Sequence, residues 1–236
     1  QIIDKNDFEK KDMNSKWGAH DHIMFKKSLS ELKKLTEPFF ATILTLSSHE
    51  PFEVPIDPIL NGEDRQTLYK NSIIYTDESV GRFMSSIEEE SYFQNTIFIF
   101  ISDHGFRMGD GHNRYPRRYH IPLFIYGDPL GKKWRGRKIS IIGSQTDLAK
   151  TILNQFDLNY NGFIFSRDLL NNVYGNAFYT FNNGFGLIEE EQSVIYDHDS
   201  KSVTYLNNFV SDSVNQFLFD KGRAKLQKTY QDFIDR

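Results

Sequence analysis

Two apolar runs constrain this chain more than any other feature. "FFATILTLSSH" (residues 39–49) and "NTIFIFISDHG" (residues 95–105) each string together β-branched and aromatic side chains with little polar alternation, then stop abruptly on groups that do chemistry. Such a run fits a strand covered on both faces, as in a parallel sheet. Open α/β sheets collect their ligand-binding groups just beyond the carboxyl ends of such strands. His49 and the pair Asp103-His104 are therefore expected at one sheet edge.

The segments between the runs supply the helices. "HIMFKKSLSELKKL" places Ile23, Phe25, Leu29, Leu32 and Leu35 largely on one face, with Asp21 as a candidate N-cap. From Arg65 a long helix is expected, because Leu68, Ser72, Tyr75, Ser79, Phe83 and Ile87 recur at spacings of three and four. "IPLFIYG" and "KISIIGSQ" read as further strands and "TDLAKTILNQF" as a helix. Alternating strands and helices imply an α/β fold with a mostly parallel sheet flanked by helices. Beyond residue 160 the texture changes to short apolar stretches with turns near Asn183-Gly184 and Asp199-Ser200. That pattern predicts a small C-terminal antiparallel β subdomain, closed by a helix capped at Ser211 or Ser213 with a break at Gly222. The expected division is an α/β core over 1–160 with the meander and helix of 161–236 packed on it.

Bulk properties remove several function classes. The net charge of −4 comes from 28 basic and 32 acidic residues interspersed along the chain, so no nucleic-acid footprint is present. With no cysteine, thiol nucleophiles, disulfides and zinc–thiolate sites are all excluded. No apolar run approaches the roughly 20 residues that span a bilayer, so the chain as given is expected to be soluble.

Each candidate residue carries two readings. Asp103-His104 can bind one divalent cation from the same side, with Gly105 letting the backbone turn away, or can form a solvated turn. His49 is a ligand-facing imidazole or a surface loop histidine. "HNRYPRRYH" holds His112, Arg114, Arg117, Arg118 and His120; arginine forks suit phosphate or sulfate oxygens, yet a solvated basic loop has the same composition. His120 precedes a strand, which in a parallel sheet places it at the opposite edge from Asp103. Trp17 is a core anchor or a ligand wall. His20, His22 and His198 read as structural or solvated, the last in a hairpin turn "DHD".

Taken in order, "WGAHD", "TLSSHEPF", "SIIYTDESVGRFM", "NTIFIFISDHG", "HIPLFIYG" and "SQTDLAKTIL" resemble the sulfatase-like branch of the alkaline phosphatase superfamily, and within it the lipoteichoic acid synthase and phosphoglycerol transferase enzymes of bacterial envelopes. The likeness covers most of residues 17–170. It implies a divalent metal, commonly manganese with magnesium, calcium or zinc as alternatives, held by an acid, a threonine nucleophile and a strand-end Asp-His pair that Asp103 and His104 match. It implies that His49 contacts a phosphoglycerol head group and that Trp17 lies near the same pocket, with Asp21 a weaker candidate; His112, Arg114 and His120 are weaker candidates on their residue types alone. The family's first metal-binding acid and its nucleophile precede the "W-G-x-x-D" segment, so both are expected upstream of Gln1. No residue of this chain is assigned the nucleophile, and the chain reads as the C-terminal part of a catalytic domain, inactive alone.

The function that the resemblance implies is metal-dependent transfer of phosphoglycerol from a phospholipid or a glycan-linked donor. It also implies a membrane-anchored parent at the extracellular or periplasmic face of the bacterial cytoplasmic membrane. An incomplete sheet would further expose apolar surface and favour self-association. Two alternatives accompany it: hydrolysis of a sulfate or phosphate ester on the same scaffold, and a non-catalytic module that binds polyanionic polymer through Arg114, Arg117 and Arg118.

Overall fold

The computed structural model describes residues 1–106, 115–171 and 174–236. His112 and Arg114 lie outside the described residues. By backbone proximity the chain divides into two compact units, one of residues 1–97 with 127–129 and one of residues 98–126 with 130–236. The boundary between these units falls near residue 97.

The first unit is built on two helices, α1 (Asp21–Leu32) and α2 (Arg65–Ile87). The face of α2 that is buried consists of Asn71, Ser72, Tyr75, Ser79, Phe83 and Ile87, the stripe that the sequence spacing predicts. Asp64 caps α2 by accepting from the N–H groups of Gln66 (3.0 Å) and Thr67 (3.1 Å), two of the donors that a helix start leaves without partners. The two helices meet where the Phe25 and Phe83 rings stack at 4.8 Å. Burying each phenylalanine contributes about 1.5–3 kcal/mol.

The first apolar run behaves differently from the expectation. Residues 39–46 have no regular secondary structure and join no ladder among the described residues. Their alternation is real: Ile43, Thr45 and Ser47 turn inward, whereas Phe40 is 89% and Leu44 66% exposed. One face is covered and the other is not, so the run is not doubly buried.

The second unit begins with β1 (Phe98–Ile101), which pairs with β2 (Leu123–Tyr126). Ile101 lies opposite Leu123 and Phe98 opposite Tyr126, so the two strands run antiparallel. The parallel pairing read from the sequence is corrected here: among the described residues every laddered pair is antiparallel. "KISIIGSQ" forms no strand, and α3 (Leu148–Gln155) follows it. Arg167 closes this region by an ion pair to the buried Asp147 carboxylate at 2.6 Å.

The C-terminal subdomain matches the expected α/β class with its antiparallel sheet and terminal helix. Strands β3 (Asn176–Phe181), β4 (Gly184–Glu189), β5 (Ser193–Asp197) and β6 (Ser202–Asn207) form a meander in sequence order. Asn183 takes the positive φ of 64° that the tight β3–β4 turn needs, a conformation asparagine tolerates. Helix α4 (Asp212–Asp235) is capped by Ser211, which accepts from Val214, and seats Leu218 against Leu187 and Val194. Gly222 does not break α4. A Cβ there would stand 2.3 Å from the buried Phe185 ring, so the glycine permits helix and sheet to approach closely.

Candidate functional site

Asp103 and His104 follow β1 directly, and their side chains are 70% and 74% exposed. The turn is held from within and from outside. The His104 N–H donates to Asp103 Oδ1 at 2.8 Å, and the Gln145 amide donates to the carbonyls of Ser102 and Asp103 at 2.7 and 2.8 Å. His104 Nδ1 lies 3.1 Å from the Gly105 carbonyl, which can only accept, so Nδ1 carries the proton and Nε2 keeps its lone pair. That Nε2 is 3.7 Å from Asp103 Oδ2. One divalent cation with bonds of about 2.1 Å can reach both atoms, and a carbonyl fixing the ring's other nitrogen is the usual support of a metal-binding histidine. The pair therefore fits a cation. Among the described residues no group of three such donors converges on a metal-sized gap.

Antiparallel pairing also changes the place of His120. Because Leu123 faces Ile101, the residues preceding β2 lie at the same end of the ladder as those following β1. His120 thus comes to the Asp103-His104 end and not to the opposite edge. Gly105 is what makes room: a Cβ on it would fall 1.9 Å from the Arg118 carbonyl oxygen. Its use is close approach of two backbones, with no turn that demands a positive φ.

In the first unit Trp17 and His49 are neighbours, their rings in edge contact at 4.7 Å. The Trp17 indole N–H donates to the Glu50 carbonyl, which also lies 3.0 Å from His49 Nδ1. By the same reasoning His49, an exposed residue, keeps its lone pair on Nε2. Trp17 is 48% exposed, so it is not a core anchor. The turn closes through Phe52, whose N–H donates to the His49 carbonyl at 2.8 Å. Phe52 holds a positive φ of 65° with its ring 4% exposed. A bulky residue in that region is strained, and strain of this kind is kept where the surroundings over-determine it.

Asp21 explains why the turn stands where it does. The residue opens α1 as its first helical position, with His20 at the N-cap, so the capping role read from the sequence is corrected. Its carboxylate is fully buried and faces the turn. Oδ1 accepts from the N–H groups of Leu46 (2.9 Å) and Ser47 (3.0 Å), and Oδ2 accepts from Thr76 Oγ1 at 2.7 Å. Ser47 Oγ returns a bond from the Asp21 N–H, and Ser48 Oγ meets Thr76 Oγ1 at 3.1 Å. With its acceptor sites engaged inside the protein, Asp21 positions the residues that carry His49 and does not face a ligand. Nearby, burial and the charge of His22 hold the His20 imidazole below its ordinary pKa, with Asp21 and Glu53 opposing. His20 and His22 pack edge-on against Tyr75, in keeping with the structural reading.

Sequence reasoning missed Gln145 and Thr76. Both are single polar residues on helical segments, and nothing in their spacing singles them out.

The chain is similar in sequence and in fold to known proteins. A chain at 26% identity, Lipoteichoic acid synthase-like YvgJ of Bacillus subtilis, matches over 184 residues, 66% of this chain and 28% of its own length. Lipoteichoic acid synthase 2 of the same organism is 23% identical over 70% of this chain and 28% of its own. An arylsulfatase of Clostridium perfringens is 38% identical over 94 residues, 36% of this chain and 19% of its own. In structure, a protein of the alkaline phosphatase superfamily from Vibrio parahaemolyticus superposes with a TM-score of 0.77 at 26% identity, covering 98% of this chain and 59% of that one. The chain spans less than a third of the curated relatives it matches. The sulfatase family model matches residues 1–158, about two thirds of the sequence and the part that holds Trp17, His49 and the Asp103-His104 pair; the chain belongs to the sulfatase family.

Proposed function

We propose that the chain is part of a metal-dependent phosphoglycerol transferase of the bacterial envelope. In this reading Asp103 and His104 hold a divalent cation, manganese before magnesium, calcium or zinc. When bound, it supplies positive charge that stabilises negative charge developing on phosphoryl oxygens. The chain's own residues do the rest. In the second unit Gln145 and the Gly105 carbonyl fix the pair, and in the first unit His49 offers its Nε2 lone pair to a glycerol hydroxyl beside the Trp17 ring. The single observation that supports this most is the exposed imidazole in edge contact with an exposed indole, at the "TLSSHEPF" turn of a chain whose relatives over about two thirds of its length are named lipoteichoic acid synthase or lipoteichoic acid synthase-like. The donor in this reading is a phospholipid or glycan-linked phosphoglycerol. The parent is anchored in the cytoplasmic membrane with this part on its outer face. Among the described residues no helix is long and apolar enough to cross a membrane.

The 38% identity to an arylsulfatase favours a second reading, hydrolysis of a sulfate or phosphate ester. Tryptophan fluorescence separates the two, in a Trp134→Phe background so that Trp17 alone reports. With manganese present, glycerol phosphate is expected to change the emission saturably, and His49→Ala to abolish the change. A response to an aryl sulfate and none to glycerol phosphate would transfer the assignment to the hydrolase. Silence with both would remove each reading.

A further inference from the structure

Within the second unit, the β3–β6 meander is covered on both faces. Residues directly opposite in a ladder share a face, and neighbours along a strand alternate. Leu187 and Val194 stand opposite each other on the face that takes Leu218 of α4. One position along, Tyr179, Gly186, Ile195 and Tyr205 form a single row across all four strands, on the other face. Ile195 is 1% exposed, so that row is covered too. Its cover is the short helical turn Pro116–Tyr119, gripped at both ends. The Tyr119 ring stacks on Tyr179 at 3.8 Å, and the Tyr115 ring meets Tyr205 edge-on at 5.5 Å.

The fit is one of length. The outer members of the row stand about 14 Å apart across four strands, whereas four residues of such a turn advance only about 8 Å. Gly186 closes the difference: a Cβ there would fall 2.1 Å from Tyr179 Cζ, so its absence lets the Tyr179 ring lie across β4. Burial holds the Tyr179 phenol above its ordinary pKa, and the Tyr119 and Tyr205 hydroxyls push the same way. The gripped turn also touches the candidate site. Its Arg118 carbonyl oxygen would stand 1.9 Å from a Cβ on Gly105, the residue whose carbonyl holds His104 Nδ1. We infer that the meander is a positioning element for the Asp103-His104 turn: Tyr179 and Tyr205 hold residues 115–119 in place, and that segment backs the Gly105 carbonyl that sets the His104 tautomer. The inference rests on the cation reading for one consequence, weaker metal binding when a grip is lost; the positioning itself is measured without metal.

The test is nitrogen NMR of the His104 ring in the isotope-labelled chain, in EDTA and at a pH where imidazoles are neutral. Wild type should show the Nδ1–H tautomer. Tyr115→Ala removes one grip from the loop side and leaves the sheet untouched; Tyr205→Thr removes it from the sheet side and keeps a strand former on β6. Both should move the His104 ring toward the tautomer mixture of a free imidazole. Both should also speed exchange of the Arg118 amide, which donates to the Tyr115 carbonyl at 3.1 Å, by roughly tenfold. Tyr115→Phe and Tyr205→Phe keep the ring contacts and should behave as wild type, and amide exchange at Leu187 and Val194 checks that each variant has kept its sheet. In a manganese titration the Kd should rise roughly tenfold in Tyr115→Ala and Tyr205→Thr and hold in the two phenylalanine variants. A wild-type His104 ring in both folded loss variants overturns the inference, and so does a wild-type manganese Kd in both. The expected ring changes with no manganese binding in wild type would remove the cation reading and leave the positioning standing.

Discussion

Removing the Asp21 carboxylate should loosen the turn that presents His49 well before it unfolds the protein. In Asp21→Ala the Leu46 and Ser47 N–H groups lose their shared acceptor and the Thr76 hydroxyl loses its own. Ser47 is 5% exposed and cannot turn to water, so its orphaned N–H costs about 1–3 kcal/mol; Leu46 is 36% exposed and recovers part of its loss from solvent. Thr76 keeps Ser48 as a partner. With the small cavity added, the total is about 3–4 kcal/mol. Asp21→Asn keeps one oxygen for the two N–H groups and should cost about 1–2 kcal/mol. Denaturant unfolding measures these totals, and amide hydrogen exchange shows where they fall. A loss of about 3 kcal/mol at the turn corresponds to Ser47 exchanging roughly a hundredfold faster in Asp21→Ala. Wild-type exchange at Leu46 and Ser47 together with wild-type melting would refute the argument that Asp21 positions the turn.

Other outcomes follow from the same physics. Gly222→Ala should destabilise the chain by about 1–2 kcal/mol in urea melts, because overpacking against Phe185 outweighs the roughly 1 kcal/mol gained in helix propensity; a more stable variant would contradict the packing argument. His20 contributes an acid sensitivity of defined sign. Its folded pKa lies below the unfolded value of about 6.5, so the unfolded chain binds more protons as pH falls, and the stability present above that value is lost on descent through the folded pKa. Thermal melts at pH 7.5 and pH 5.5 should therefore differ less in His20→Gln than in wild type, and equal differences would refute the assignment.

The elements legible in the sequence are those whose signals are local. The buried stripe of α2, the Asn183 turn, the Ser211 cap and the length of the meander strands all follow from spacing and turn chemistry within a few residues. Pairing is not local. The run at 95–101 shows how oily a strand is but not which strand lies beside it, and the antiparallel partner β2 moved His120 to the Asp103 end. Residues 39–46 illustrate the same limit, since an apolar run reads alike whether both faces or one are covered. Gly222 looks like a helix breaker in the sequence and is a packing device in the fold. Among the candidate residues, the exposed groups His49, Asp103, His104 and Trp17 stand out in the sequence by residue type alone. Their supports, Asp21, Thr76 and Gln145, act across 25 to 55 residues of sequence and surface only in three dimensions.

Calorimetric titration of the chain with manganese probes the assignment of Asp103 and His104 most directly. Wild type should give saturable binding heats that Asp103→Ala and His104→Ala each reduce to the level of buffer, with the melting curve of neither variant altered. Identical heats in wild type and both variants would show that the pair at the end of β1 is not where the cation is held.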